Sequence, residues 1–193
     1  MDEPTIAYIC RELLCGLEYL HDVQHKVHRD LKPENVFLHL DGQVKIGDLG
    51  FCVDTGYETR HTRNSIAGTA RYLAPEMIKK DGYCSKLDIW SFGCMVYFMA
   101  CGKDLYHNES SLSAMFQIAT KGAPSLPHNA RWSPEFLHFL DASLQPDPSL
   151  RWSAAQLLRH PFLTECPMAE MNDLRVIFHN VFVGRALQMA GLA

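Results

Sequence analysis

The sequence predicts a mainly helical fold with one small β-hairpin. Apolar residues recur at helical spacing in the first twenty residues and again near the C-terminus. Between them, two short runs rich in branched residues, Val36–Leu38 and Val44–Ile46, bracket Asp41-Gly42, a dipeptide typical of hairpin turns. The chain has 193 residues, of which 47% are hydrophobic, which suits one domain with a sizeable core, with or without a short extension.

The first helix is predicted from apolar residues between Ile6 and Leu20 that recur every three or four positions, and Pro4 suits its first turn. After the hairpin, residues 48–76 show no sustained period and are rich in Gly, Thr and Arg. We therefore expect a long functional loop there rather than a packed element.

The most apolar stretch of the chain is 87–101. It is too short, and too polar at its start, to span a bilayer, so we expect a buried core helix. Ser85 and Asp88 have the spacing of a capping box at the start of this helix, and Gly102 is expected to end it.

Further helices are predicted at 110–121, at 134–144 and at 154–159, and Ser133 and Ser153 are suited to cap the second and third of these. The tail also has apolar residues at helical spacing, so a final helix is expected to pack against the rest of the chain. These residues are Leu174, Ile177, Phe178, Val181 and Phe182.

Composition excludes several classes of protein. A formal net charge of −4 argues against a nucleic-acid partner, which would favour a basic patch. The acidic start MDEPTIAY lacks the features of a secretory signal, and no stretch predicts a membrane span. None of the seven cysteines forms a C-x-x-C pair, so we expect reduced core thiols in a cytoplasmic protein, with a nuclear location as the alternative. His21 and His25 lie four apart, but without a third ligand nearby they are expected to be ordinary surface or core histidines.

One stretch of eight residues, HRDLKPEN at 28–35, brings a carboxylic acid, a lysine and an amide together as Asp30, Lys32 and Asn35. The hairpin then delivers Asp48, in GDLG, just past its second strand. Asn35 and Asp48 offer oxygen ligands that suit Mg²⁺, which leaves its other positions to water and phosphate. Phosphoryl transfer needs a cation on the phosphates and a carboxylate that orients the attacking hydroxyl, and Asp30 suits the second role. Lys32 suits the charge that builds on the transferred group.

The stretch 28–35 resembles the catalytic loop of protein kinases, H-R-D-L-x-x-x-N, at every fixed position. DLG at 48–50 stands where that family has D-F-G, and APE at 74–76 and DIWSFG at 88–93 follow in the family's order. On these motifs residues 1–163 resemble the helical C-terminal lobe of eukaryotic serine/threonine protein kinases, with the hairpin at the catalytic cleft. Residues 164–193 are then expected to form a C-terminal helical tail.

The resemblance implies a role for each matched residue. Asp30 is the catalytic base, and Asn35 and Asp48 hold Mg²⁺ on bound ATP. Lys32 contacts the transferred phosphate and, in DLKPEN, is typical of the serine/threonine class, so the expected partner is a protein substrate with a serine or threonine acceptor. Thr69 is similar to the residue that lies beside the acceptor site.

The resemblance also implies structural and regulatory residues. Glu76 resembles the partner of Arg151 in a buried ion pair that supports the substrate loop, and Asp88 resembles the helix residue that holds the backbone of the catalytic loop. Ser65 lies where many sterile-group kinases carry an activating phosphate, and Arg29 is placed to pair with it. Thr59 and Thr62 are competing sites.

Two subfamilies share features with the chain. The stretches ESSLSAMFQIATKGAPSLP and LRHPFL are similar to MAP kinase kinase kinases and their sterile-group relatives, whereas NVFL with GDLG is similar to the NIMA-related family. We place the sterile group first and the NIMA-related group second.

The motifs of the family's N-terminal lobe are absent from the sequence. No G-x-G-x-x-G loop occurs, and no V-A-I-K lysine precedes the first helix. We therefore expect a kinase fragment without the lobe that clamps ATP. The absence of that lobe should expose apolar surface around Leu38, Ile46 and Leu49. The alternative is a catalytically inactive truncated form that acts as a binding or competitor module. A third hypothesis is that another chain supplies the missing lobe or that a regulatory protein covers the cleft.

Overall fold

The structure is a computed structural model that describes residues 1–54, 70–82, 84–127 and 132–189, with backbone only for 181–189. The helices in these ranges are α1 (Glu3–Glu18), α2 (Pro75–Lys79), α3 (Lys86–Cys101), α4 (Ser111–Lys121), α5 (Pro134–Ser143), α6 (Ala154–Leu157), α7 (Pro161–Thr164) and α8 (Met171–Met189). The strands are β1 (Lys26–Val27), β2 (Val36–Leu38), β3 (Val44–Ile46) and β4 (Val53–Asp54). They form two antiparallel pairs, β1 with β4 and β2 with β3. The predicted helix-rich fold with a small hairpin is confirmed.

Helix α3 forms the centre of the core, as its apolar sequence predicts. Its residues from 87 to 97 are all buried, and the side chains of Trp90 and Phe92 are fully enclosed. Helix α1 packs against it, and Leu14 and Leu17 of α1 are also fully buried. Burial of several such side chains, each contributing about 1.5–3 kcal/mol, provides much of the driving force for folding.

The two ends of α3 differ in how well the sequence predicts them. Gly102 ends the helix at φ +72°, and its N–H donates to the carbonyl of Phe98 over 2.7 Å, as expected of a glycine C-cap. The capping box at Ser85 and Asp88 is wrong. Ser85 makes no capping bond through its side chain, and the fully buried carboxylate of Asp88 binds the backbone of residues 28 and 29 instead of the N–H of Ser85.

The hairpin of β2 and β3 is confirmed, with Val36 opposite Ile46 and Leu38 opposite Val44. Gly42 lies in its turn at φ +95°, and a Cβ atom there would lie 2.4 Å from the carbonyl oxygen of Met171. Both the left-handed backbone and the close approach of α8 therefore require glycine at this position.

The prediction of one unpacked loop over 48–76 is wrong in part. Short 3₁₀ turns form at Leu49–Phe51 and Ala70–Tyr72, α2 begins at Pro75, and β4 pairs with β1. Strands of two residues have too few positions to show an alternating pattern, and β4 is stabilised by a distant partner. Residues 55–69 lie outside the described residues.

The later helices start close to the predicted positions. The hydroxyl of Ser133 accepts the N–H of Phe136 over 3.1 Å at the start of α5. Ser153 and Gln156 form a reciprocal capping box at the start of α6. Both serine caps are therefore confirmed.

The tail packs as a helix on the body of the protein. Leu174 is fully buried and Phe178 is nearly so, whereas Ile177 is 39% exposed, so its predicted burial is wrong. The side chains of Val181 and Phe182 lie outside the described residues. The N–H of Ala169 donates to the carbonyl of Pro4 over 3.0 Å and fixes the start of the tail against α1. No described helix combines the length and the apolar character needed to cross a membrane.

All seven cysteines are free thiols. Cys10 and Cys94 are buried as predicted, and burial raises the pKa of both thiols. Cys15 and Cys84 are exposed, so the prediction of core thiols is wrong for these two.

Two histidines join α5 to α7 through a chain of hydrogen bonds. Nδ1 of His160 accepts the N–H of Phe162 over 3.1 Å and caps α7, so the ring proton of neutral His160 lies on Nε2. Nε2 then donates to Nδ1 of His138 over 2.7 Å, and the two rings stack. Protonation of His160 would place a proton on the nitrogen that caps the helix.

We expect acid to weaken this hydrogen-bonded contact between α5 and α7. Burial first and His138 second lower the pKa of His160 below its usual 6.5, although Glu135 opposes them. The unfolded chain therefore binds more protons, and the stabilisation is present above pH 6.5 and is lost as the pH falls below that value. Urea unfolding at about pH 7.5 and about pH 5.5 measures the loss. His160→Asn keeps a capping oxygen but does not titrate, so its free energy of unfolding should fall less between the two pH values. An equal fall in both proteins would contradict the prediction.

Candidate active site

The segment 28–35 runs between two well-packed elements. Helix α1 ends in a π-helical turn at Tyr19–Val23, and β1 then leads into the segment, which closes in a 3₁₀ turn at Pro33–Asn35 before β2. The side chains of Val27 and Leu31 are fully buried and fix the segment to the core. The polar side chains between them therefore have defined positions.

Asp30 has one oxygen held in place and the other without a partner. Its side chain is 5% exposed, and Oδ2 accepts bonds from Nζ of Lys32 over 2.7 Å and from Nδ2 of Asn35 over 3.2 Å. The same Nδ2 donates to the carbonyl of Asp30 over 2.8 Å. Oδ1 is buried and has no hydrogen-bond partner in the part of the chain that the structure describes. Such an oxygen is suited to accept a proton from a bound hydroxyl.

Asp48 follows β3 and lies beside Asn35. The N–H of Gly47 donates to the carbonyl of Asn35 over 2.9 Å, which fixes the two segments together. Asp48 has φ +57°, in the left-handed region, and its exposed carboxylate makes no hydrogen bond or ion pair to another described residue. This is the strained backbone that functional residues often adopt.

The two oxygen donors fit a hard cation. The amide nitrogen of Asn35 is bound to Asp30, which leaves its Oδ1 as the side-chain atom that can bind a cation, and the carboxylate of Asp48 is a second oxygen ligand. Across the described ranges, no group of three His, Cys, Asp or Glu side chains is placed to hold a metal ion. A cation held by Asn35 and Asp48 would therefore complete its shell with phosphate and water, as Mg²⁺ does.

His28 links the two halves of the site, and sequence reasoning missed it. Its Nδ1 accepts the N–H of Asp30 over 3.3 Å, so Nε2 carries the proton and donates to the carbonyl of Gly47 over 3.0 Å. Because Gly47 precedes Asp48, one fully buried imidazole sets the spacing between the two carboxylates. The signal was present, since His28 opens the stretch that carries Asp30.

Asp88, on α3, fixes the backbone at the start of the segment 28–35. Its carboxylate accepts the N–H groups of His28 and Arg29, each over 2.8 Å. Nε2 of His21 donates to the same carboxylate over 2.7 Å, and the π-helical turn directs His21 inward. His21 is thus a core histidine, one of the two outcomes expected for it.

Replacement of Asp88 by Asn should destabilise the protein. One carboxylate oxygen becomes an NH₂ group that meets N–H donors, so buried groups lose their partners at a cost of roughly 1–3 kcal/mol. Urea unfolding measures the change. The exposed Asp81→Asn is the matched control, and equal midpoints for the two variants would contradict the role of the Asp88 carboxylate.

Glu76 and Arg151 form the buried ion pair that the sequence predicts. The two guanidinium nitrogens lie 2.8 and 3.0 Å from the two carboxylate oxygens, and the side chains are 6% and 1% exposed. Arg151 also donates to backbone carbonyls, among them that of Gln145, and its guanidinium lies 5.2 Å from the centre of the Trp90 ring. The pair ties the start of α2 to the segment before α6.

The 3₁₀ turn at Ala70–Tyr72 is anchored by a hydrogen bond between a hydroxyl and a carboxylate. Sequence reasoning missed this bond. Tyr72 donates its hydroxyl to Asp104 over 2.7 Å, and burial together with Asp104 raises the pKa of Tyr72. Ser91 donates to the carbonyl of Tyr72 over 2.8 Å. No motif indicates the bond between Tyr72 and Asp104, because the two residues lie far apart in sequence.

The regulatory predictions fall largely outside the described residues. Ser65 and Thr69 lie in the range 55–69, as do Thr59 and Thr62. Arg29 is described: its Nε donates to the carbonyl of Phe51 over 2.7 Å, and its backbone has φ +69°. Arg29 therefore also ties residues 28–35 to the turn after Asp48.

Comparison with known protein families identifies the family to which the chain belongs. The family profile described as "Protein kinase domain" matches residues 1–163. The chain belongs to the protein kinase domain family. The predicted resemblance to eukaryotic serine/threonine kinases is confirmed, and the matched range includes Asp30, Asn35 and Asp48.

Curated relatives agree with the sterile-group assignment. The chain is 40% identical over 190 residues to the serine/threonine-protein kinase ste20 of Emericella nidulans. The aligned region covers 98% of this chain and 22% of the relative. The chain is 42% identical over 163 residues to the serine/threonine-protein kinase pak-1 of Caenorhabditis elegans, covering 84% of this chain and 28% of the relative. The chain thus spans less than a third of the length of these kinases.

Proposed function

We propose that this chain supplies the catalytic half of a serine/threonine protein kinase, which transfers the γ-phosphate of ATP to a hydroxyl of a protein substrate. The observation that supports this proposal most is the state of Asp30. One oxygen is fixed by Lys32 and Asn35, and the other is buried and unpartnered. A structural carboxylate would have both oxygens satisfied.

In the proposed reaction, Oδ1 of Asp30 orients the substrate hydroxyl and accepts its proton. The hydroxyl oxygen forms a bond to the γ-phosphorus while the bond from that phosphorus to the β–γ bridging oxygen breaks. Lys32 compensates the charge on the transferred group. Asn35 and Asp48 would hold Mg²⁺, which supplies charge neutralisation on the phosphates when bound.

We further propose that residues outside these 193 cover the nucleotide. The sequence holds no G-x-G-x-x-G loop, and large apolar side chains are exposed beside the metal ligands. Phe37, Leu38, Leu49 and Phe51 are between 42% and 58% exposed. A further lobe, from the same or another chain, would bury them. We assign residues 164–193 to a separate tail, and the free cysteines favour a cytoplasmic or nuclear location.

These four exposed apolar side chains also support the alternative of an inactive module that binds partners or competes for substrates. One experiment separates the two functions. Two proteins are assayed: the purified chain alone, and the chain fused behind the N-terminal lobe of a kinase relative, the lobe that carries the G-x-G-x-x-G loop. The assay measures transfer of labelled γ-phosphate to peptides with Ser, Thr or Tyr acceptors.

We expect the fusion to phosphorylate Ser or Thr but not Tyr, and the chain alone to be at least about a hundredfold slower, because the nucleotide is misplaced. A correctly folded fusion that transfers no phosphate would favour the binding module. Transfer to Tyr at an equal rate would contradict the serine/threonine assignment.

A further inference from the structure

A cavity of about 340 Å³ lies between α1 and the segment that leads into α8. Tyr8, Arg11 and Glu12 form one wall, and residues 168–171 form the other. Sites for small ligands begin at about 300 Å³, so this cavity is large enough to hold one. The kinase-domain match ends at residue 163, so the second wall lies outside it. None of the residues assigned to catalysis lines the cavity.

The first wall contains a hydroxyl without a partner. Tyr8 is 2% exposed, and its oxygen is buried with no hydrogen-bond partner within the described ranges. Burial first and the carboxylate of Glu12 second raise the pKa of Tyr8, so the group is a neutral hydroxyl with free lone pairs. A buried hydroxyl of this kind costs free energy until a ligand or water binds it.

The charges around the cavity favour a cation. Nη2 of Arg11 lies 3.1 Å from Oε1 of Glu12, and the guanidinium lies 5.1 Å from the centre of the Tyr8 ring, so this positive charge already has partners. The carboxylate of Glu170 is exposed and forms no hydrogen bond or ion pair with another described residue. Asp41 adds further negative potential near Tyr8.

The second wall suits an apolar stem. Met168, Ala169 and Met171 line it, and residues 167–170 form neither helix nor strand. Methionine side chains are unbranched and adaptable, so they can turn aside and admit a ligand to the hydroxyl of Tyr8. A ligand with an alkyl stem and a compact cationic head would satisfy both walls.

We propose that this cavity binds a lysine side chain presented by an extended segment of a partner protein. An ammonium group has three donors and no acceptor, which matches the hydroxyl of Tyr8, the carboxylate of Glu170 and the second oxygen of Glu12. The flanking residues of the partner would lie along residues 167–170, which form neither helix nor strand.

The test uses the whole chain with ¹³C-methyl methionine and two capped tripeptides, Ala-Lys-Ala and Ala-norleucine-Ala. Norleucine keeps the alkyl stem but lacks the ammonium group. We expect the lysine peptide to shift the methyl signals of Met168 and Met171 saturably. The norleucine peptide should bind at least about tenfold more weakly, because it makes no charged hydrogen bonds.

Three variants identify the acceptors. Glu170→Gln and Tyr8→Phe should each weaken binding of the lysine peptide several-fold, whereas Glu165→Gln, an exposed carboxylate outside the cavity walls, should not. Tyr8→Phe removes a buried hydroxyl without a partner, so its unfolding midpoint should be equal to or higher than that of the parent protein. Equal binding of both peptides, no saturable shift, or unchanged affinity in Glu170→Gln or Tyr8→Phe would overturn the proposal.

Discussion

Replacement of Asp30 by Asn is expected to lower the rate of phosphoryl transfer by roughly 10²–10⁴-fold, since a neutral amide cannot accept the proton of the substrate hydroxyl. The measurement is the initial rate of phosphate transfer to a serine peptide by the fusion that carries a nucleotide-covering half. KM for the peptide should change much less than kcat, because the variant removes a group that acts in the transition state.

The control for this prediction is Asp141→Asn, which changes an exposed carboxylate on α5. Its rate should equal that of the parent protein. The unfolding midpoint of Asp30→Asn shows whether the variant is folded, because Asn35 and Lys32 can still bond the amide oxygen. A folded Asp30→Asn protein with the parental rate would remove Asp30 from the mechanism.

The second large effect concerns stability. Glu76→Ala should lower the free energy of unfolding by about 3–5 kcal/mol, because Arg151 is left charged and buried without its carboxylate. Urea unfolding measures this loss. Removal of both charges in Glu76→Leu with Arg151→Met should recover much of it, since no unpaired charge then remains in the core.

The exposed pair of Lys26 and Asp54, with its atoms 2.6 Å apart, is the matched control. Asp54→Asn should leave the urea midpoint nearly unchanged, because solvent screens an exposed pair. If Glu76→Ala and Asp54→Asn had the same midpoint, burial of the Glu76–Arg151 pair would not contribute to stability as we describe.

The residues from Asp30 to Asn35 could be placed together from sequence because the motif is local. Six consecutive residues cannot separate far, and the hairpin that follows returns the chain to Gly47 and so to Asp48. The core helix α3 was also predictable, since residues 87–101 form the most apolar stretch of the chain, and the structure buries every residue from 87 to 97.

Contacts between distant segments were not predictable in the same way. The two-residue strands β1 and β4 pair with each other although they lie far apart in sequence, and their residues carry no alternating pattern. Asp88 has the spacing of a helix cap, but the N–H groups of residues 28 and 29 compete for its carboxylate. The buried hydroxyl of Tyr8 and the pairing of Tyr72 with Asp104 likewise depend on the tertiary fold.

The most direct test of the proposed site is paramagnetic broadening by Mn²⁺ in the presence of ATP, because Mn²⁺ prefers the same oxygen ligands as Mg²⁺. Broadening is measured on the backbone amide signals of the ¹⁵N-labelled chain. We predict that the signals of Asn35 and Asp48 broaden first, that the signal of Asp141 does not, and that Asp48→Asn abolishes the effect. Broadening centred on another part of the chain, or unchanged in Asp48→Asn, would contradict the assignment of this site to a metal-bound nucleotide.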